Sequence, residues 1–190
     1  MSTVIRPSVS PTFPLLTAEE FVRRYPDARV ELVNGVVRGV PMAGVEHGVV
    51  NSNFVYYLSD HVRRHDMGRV LGNDTHFITR RNPDAVRGMD IAYISYARMP
   101  KGSVPKGALE VAPELIAEVR SPSDTWTDVF AKVGEYIKAS VGVVIVLDPE
   151  TRTVLVCRPD AEQEDFHVGD TLTIPDLLPG FAVEVARLFE

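Results

Sequence analysis

Leu115-Ile116-Ala117-Glu118-Val119-Arg120-Ser121-Pro122-Ser123 is the stretch on which the fold turns. Leu115 to Val119 is a short, nearly continuous apolar run, the pattern of a central strand covered on both faces, yet Glu118 interrupts it. Ser121-Pro122-Ser123 then breaks the strand and starts a helix expected from about Asp124 to Ala139. Val129, Phe130, Val133, Tyr136 and Ile137 form the expected buried stripe of that helix. Beyond it, Val143 to Leu147 and Thr153 to Arg158 read as a hairpin around Asp148-Pro149-Glu150-Thr151, and short strands are expected near Thr171 to Ile174 and Phe181 to Val185.

Upstream, Thr17 and Glu20 form a capping box for a short helix from Ala18 to Arg24, which Pro26 ends. Arg29 to Val33 and Val36 to Val40 are β-branched runs joined by Asn34-Gly35, the pair best suited to the positive φ angles of a type I′ turn. Glu31 lies inside the first run. From about Glu46 to His65, Val50, Phe54, Leu58 and Val62 repeat at a four-residue step that marks one helical face, with His47, Asn51 and His61 near it. Val70 to Thr79 and Met89 to Tyr96 read as strands, separated by Arg81-Asn82-Pro83-Asp84 and Gly88, and Lys101 to Gly107 reads as a mobile loop.

The chain of 190 residues suits one domain around one core. Hydrophobic residues at 45% and charged residues at 24% are near the averages for a folded protein and do not indicate disorder, and no apolar run approaches the ~20 residues of a spanning helix. Residues 1–14 carry one Arg, three prolines and no apolar core, so they read as a flexible tail rather than a signal peptide, and a cytoplasmic location is expected. Cys157 is the only cysteine, which excludes an internal disulfide. The net charge of −6 argues against coating nucleic acid through bulk positive charge. Between Arg80 and Lys106, however, six basic residues face only Asp84 and Asp90, so a polyanion could be held there; an ordinary solvated stretch is the plainer explanation.

Three carboxylates stand where a core would not place them: Glu31 in the hairpin, Asp90 opening an apolar strand, and Glu118. An unpaired buried carboxylate costs several kcal/mol, so each must be exposed, paired or bound to a cation. Convergence on one Mg²⁺, which takes oxygen ligands and keeps several waters, would satisfy them together, while ordinary salt bridges explain any one of them alone. Glu118 and Arg120 are two apart, so on a strand their side chains point the same way.

The order Asp90, Glu118-Val119-Arg120, Ser121-Pro122-Ser123, and then a helix carrying Lys132 and Tyr136 resembles the PD-(D/E)xK nuclease superfamily. Glu31-Leu32-Val33-Asn34-Gly35, a His soon after, and Leu115 through Ser123 are most similar to its Uma-type restriction endonuclease family, over about Glu31 to Pro149. The resemblance implies an α/β (α+β) fold with a mixed central sheet flanked by helices and an N-terminal β-hairpin. It also implies that Asp90 and Glu118 are the motif carboxylates, that the Val119 carbonyl and Glu31 help hold Mg²⁺ (or Mn²⁺), and that DNA is the substrate. Met89 stands where the family usually has Pro, and Arg120 where the superfamily has Lys. Arg stays protonated and cannot act as a general base, so Lys132 is the candidate replacement.

Each supporting residue has a bland alternative. Asp124, Asp128 and Lys132 stand at four-residue steps, so Lys132 also fits an ordinary helix ion pair. His47 could orient a water or phosphate, or simply be a hydrogen-bonded structural residue. Tyr136 reads as a core aromatic, and Trp126 either packs or stacks on a base. Arg80 and Arg81 are the candidate contacts to substrate. The competing functions are a non-catalytic nucleic-acid-binding or regulatory protein on the same fold, and a sugar-acting enzyme with paired acids, which the basic stretch disfavours. A homodimer or higher homo-oligomer is expected, because two-fold assemblies are commonest and duplex cleavage needs two sites.

Overall fold

A computed structural model describes residues 14–26 and 28–190; the tail expected over residues 1–14 lies, Pro14 apart, outside the described residues. Helix α1 (Ala18–Arg24) has the expected capping box, with the Thr17 hydroxyl accepting from the Glu20 N–H and the Glu20 carboxylate from the Thr17 N–H. Strands β1 (Val30–Val33) and β2 (Val36–Gly39) follow, and Asn34 and Gly35 take φ of 54° and 75° at their turn. Glycine is required there for a second reason, since a Cβ on Gly35 would sit 2.6 Å from that of Leu15.

One large sheet runs in the order β2-β1-β4-β5-β6-β7-β8, with β3 (Gly68–Arg80) also paired to β4 (Ala85–Ser95). Strands β5 (Leu115–Val119) and β6 (Val143–Asp148) are parallel to each other, while β7 (Thr153–Cys157) and β8 (Glu164–Phe166) extend the sheet antiparallel. Helix α2 (Val45–Arg64) covers one face through Val50, Phe54, Leu58 and Val62, which pack on Leu115, Ala117 and Val119. Helix α3 (Trp126–Lys138) covers the other through Val133 and Tyr136, against Ile116 and Val146. Burial on both faces explains the near-continuous apolar run of β5, where a fully buried Ile such as Ile116 contributes ~2 kcal/mol. Alternation along the strand leaves Glu118 on the α3 side. A small second sheet, β9 (Thr171–Thr173) with β10 (Ala182–Glu184), and a 3-10 turn at Val185–Leu188 complete the core under α2.

The expected mixed sheet with flanking helices is present, and its details differ in three places. Strands β3 and β4 are longer than the sequence suggests, and Gly88 lies within β4, opposite His76. Phe130, expected in the buried stripe of α3, is instead exposed and packs against Trp126 with ring centroids 5.7 Å apart. Helix α3 starts at Trp126 rather than at about Asp124, capped by Thr125, which accepts from the Asp128 N–H. No helix among the described residues is long and apolar enough to cross a membrane.

Candidate functional site

Pairing of β4 with β5 in the register Ile91↔Ala117 brings Asp90 and Glu118 to neighbouring positions on adjacent strands. Asp90 Oδ2 accepts from the Val119 N–H at 2.9 Å and lies 3.2 Å from His47 Nε2, delivered by the first turn of α2. Glu118 is gripped at both oxygens: Lys132 Nζ is 2.7 Å from Oε2, and the Tyr136 hydroxyl donates to Oε1 at 2.7 Å. Lys132 and Tyr136 are one helical turn apart, so seating the apolar side of α3 on the sheet presents both to the same strand residue. Glu31, from the hairpin, accepts from Arg87 at 2.8 Å and from the Gly88 N–H at 3.2 Å, and its Oε1 lies 3.6 Å from Lys132 Nζ. Glu31, His47, Asp90, Glu118 and Lys132 line one cleft of about 730 Å³. On its β3 side, Asn73 and Asp74 form a bulge opposite Asp90, both with positive φ.

The charges in this cleft perturb one another. Burial pushes the Glu118 carboxyl up to about 7; Lys132 opposes the rise and the Asp90 charge adds to it. Burial works against the Lys132 ammonium, yet the carboxylates of Glu118, Glu31 and Asp90 outweigh it and hold the group above its ordinary value. Burial likewise raises Asp90, but the His47 hydrogen bond and the Lys132 charge overcome it and leave the carboxyl below its usual range. The same hydrogen bond to Asp90 raises His47 against burial. Asp90 Oδ1 has no hydrogen-bond partner among the described residues. Groups held away from ordinary ionisation in a cleft mark a candidate for chemistry.

Several expected residues are held by other partners. Arg120 does not contact Glu118: β5 ends at Val119, and the Arg120 guanidinium turns to Asp148 at 3.0 Å and Glu150 at 2.8 Å, 5.0 Å from the Trp126 ring centre. Arg120 still lies on the α3 side and lines the cleft, as alternation expects, but the buried Asp148 at the neighbouring position of β6 captures its cation before it can reach Glu118. Arg80 and Arg81 lie outside the cleft lining; Arg80 bonds Asn34 and the Pro83 carbonyl, and Arg81 pairs with Glu19 and Asp84. Of the rest of the basic stretch, Arg87 is engaged by Glu31 and Glu135, Arg98 by Glu114 and Lys101 by Asp66, while Lys106 has no ion pair among the described residues. Its apparent excess of positive charge is therefore largely neutralised by acids from distant parts of the chain. Among the described residues, no three His, Cys, Asp or Glu side chains are placed to hold one metal ion, and Glu31 is engaged by Arg87 and Gly88.

Two members of the site were not assigned from sequence. The hydroxyl of Tyr136 was legible in principle, since a fully buried tyrosine needs a polar partner and Glu118 is the acid nearest on the covered strand. Arg87, which ties Glu31 to Glu135 on α3, left no local signal because its partners are 56 and 48 residues away.

A protein-family model, Uma2, described as "Putative restriction endonuclease", matches residues 18–186. Among solved structures, a protein described as a putative nuclease belonging to DUF820 from Anabaena variabilis superposes with a TM-score of 0.79 at 21% identity, over 92% of this chain and 97% of that one. That likeness establishes the fold. No curated protein matches the chain.

Proposed function

We propose, from the premise that the chain belongs to the Uma2 family of "Putative restriction endonuclease" proteins, that its cleft hydrolyses phosphodiester bonds, with DNA as the substrate. The observation that carries this reading is Lys132 lying against Glu118, one strand from Asp90, in an open cleft. Two acids and a cation brought together there match the parts of a metal-dependent phosphodiesterase, with the lysine supplied by the helix rather than by the strand.

The donor set fits Mg²⁺ or Mn²⁺. Asp90, Glu118 and the Val119 carbonyl are all oxygen ligands, Asp90 has one oxygen without a protein partner, and these hard ions keep waters in their remaining positions. When bound, the ion would polarise a phosphate oxygen and lower the pKa of an attacking water. Around it, the chain's own groups have definite tasks. Lys132 offsets negative charge developing at phosphorus. Tyr136 and the Val119 N–H fix the orientations of Glu118 and Asp90, and His47 holds Asp90 from the other side. Glu31, anchored by Arg87, keeps Lys132 from swinging away from Glu118. Arg120 at the superfamily lysine's position favours a binding protein without catalysis, whereas Lys132 at Glu118 supports the nuclease reading.

The test is cleavage of supercoiled plasmid in Mn²⁺, with melting temperature followed in parallel. Mg²⁺ is expected to raise the melting temperature of the wild type, since a ligand bound only by the folded state stabilises it, and Asp90→Asn should abolish both the increment and cleavage. Wild-type protein that leaves the plasmid intact, or Asp90→Asn that cuts it normally, would overturn the reading.

A further inference from the structure

Helix α2 seats one side on the sheet and leaves Val45, Val49 and Tyr56 exposed on the other. Val50, Phe54, Leu58 and Val62 are buried beneath it. On the opposite side Val45, Val49, Ser52, Tyr56, Ser59 and Arg63 follow one another at alternating steps of four and three residues, the spacing of a coiled-coil seam. Val45 is 87% exposed and Tyr56 65% exposed. Surface helices normally turn charge rather than valine and tyrosine to water, so this side is built to be covered.

We propose that a second copy of this chain covers it, through an antiparallel two-fold pairing of α2 with itself. Three features of the seam select that occupant. If Val45 faces Arg63 of the partner subunit, the same register sets Val49 against Ser59 and Ser52 against Tyr56, so each bulky residue meets a small or flexible one. Glu46, beside Val45, then lies against the partner's Arg63, and the two-fold axis repeats that opposite-charge contact at the other end. Neither Glu46 nor Arg63 has an ion pair among the described residues, so both charges are available. A parallel pairing would instead stack Tyr56 on Tyr56 of the partner subunit and place like charges side by side.

The size of the contact sets its strength. A helix of 20 residues is about 30 Å long and about 10 Å wide, so the pair covers on the order of 300 Å² per partner. That is below the ~800 Å² per partner of a standard interface, so the dimer should dissociate on dilution. The pairing also deepens the proposed function, and this consequence rests on that reading. His47 marks the cleft near one end of α2, so the two clefts of the dimer stand about 20 Å apart along the helix pair. They are related by a two-fold axis, the symmetry that also relates the two strands of a duplex.

Sedimentation velocity on the full chain, without metal or nucleic acid, tests the seam. The 21.0 kDa chain is expected to pass from monomer to dimer across the micromolar range, and Tyr56→Arg or Arg63→Glu should weaken association at least 10-fold, with the melting temperature reporting that each variant is folded. Combining Glu46→Arg with Arg63→Glu restores the charge pair and should restore the dimer. A monomer at every concentration, a dimer indifferent to both single variants, or no recovery in the double variant would overturn the proposal. The nuclease reading is judged separately. Tyr56→Arg should cut single-stranded DNA at the wild-type rate while nicking plasmid without linearising it. Absence of any cutting by a protein that dimerises as described removes the nuclease reading and leaves the seam standing.

Discussion

Two regions hold cations against carboxylates, and they differ in what is left over after pairing. Along β3, β4 and the following loop, Arg81, Arg98 and Lys101 each meet an acid at the surface, and past the end of β5 Arg120 is held between Asp148 and Glu150. Around Lys132, by contrast, the ion pairs of Glu31, Glu118 and Glu135 among the described residues involve only Arg87 and Lys132, and Asp90 has only the His47 ring. The shortage shows in Glu118, whose carboxyl is pushed up to about 7 by burial despite touching a lysine. A count of charges along the sequence ranks the two regions the wrong way round. What matters for binding a cation or a phosphate is the charge that remains unmet in a partly dry place.

The sharpest way to break this comparison is to exchange the two candidate cations. Lys132→Ala is expected to lower plasmid cleavage in Mn²⁺ by roughly 10²–10³-fold, the usual loss when one stabilising charge is removed from a transition state. The fold should survive, because burial already favours a protonated Glu118 and the carboxyl can take up a proton once the lysine is gone. Arg120→Lys should stay within a few-fold of wild type, since Arg120 is engaged away from Glu118. Full activity in Lys132→Ala together with loss in Arg120→Lys would make Arg120 the essential cation.

Arg120 should matter to stability instead. Asp148 is fully buried, and without the guanidinium it keeps only the Thr151 hydroxyl and the Glu150 N–H. Arg120→Ala is therefore expected to cost about 2 kcal/mol in urea unfolding, less than the 3–5 kcal/mol of a buried charge left with no partner. An unchanged midpoint would show that the corner is not a structural lock. Glu118 gives a smaller, pH-dependent effect. Its folded pKa, about 7, is above the ordinary 4.5, so its contribution to stability is fully present below 4.5 and is lost as pH rises through 7. In metal-free buffer Glu118→Gln should flatten the decline of melting temperature across that window, and parallel curves for the two proteins would count against an elevated carboxyl.

Much of the fold was legible because local and global demands agree. Leu115–Val119 is readable to the residue, since a strand buried on both faces is nearly continuous in apolar residues, with Glu118 the exception. Asn34-Gly35 and the Thr17 capping box are signals that no tertiary contact overrides. The ends of β3 and β4 were not legible, because Gly88 has poor strand propensity and is kept in β4 by its neighbours; its N–H bonds Glu31. Strand β8 is a short polar edge with no alternation to read. Phe130 shows the limit of periodicity, which puts it at the margin of the stripe without saying which margin lies over the sheet. In the site, the residue types and the order of Asp90, Glu118 and Lys132 were legible. Their hydrogen-bond partners were not, and neither was the capture of Arg120 by Asp148, a contact across 28 residues.

The weakest expected effect tests the other half of the comparison. Lys101 sits in the basic stretch that the sequence offers as a polyanion site, and its ammonium lies 2.5 Å from Asp66 and 4.8 Å from the centre of the Tyr96 ring. The pair is well exposed on both sides, so each charge is screened and its net worth to the fold is small. If the stretch were a binding surface, removing one cation that neutralises a phosphate would reduce the slope of log affinity against log salt by close to one. If its cations are spent on Asp66 and other acids, that slope should not move. Lys101→Ala is therefore expected to leave the melting temperature unchanged, and affinity for a duplex oligonucleotide within about two-fold at every salt concentration. The same titration on Lys132→Ala, whose cation faces the cleft, should lower the slope measurably. A reduced slope in Lys101→Ala with none in Lys132→Ala would mean that nucleic acid is held on the loop after all, and that the charge left over in the cleft serves something other than a phosphate backbone.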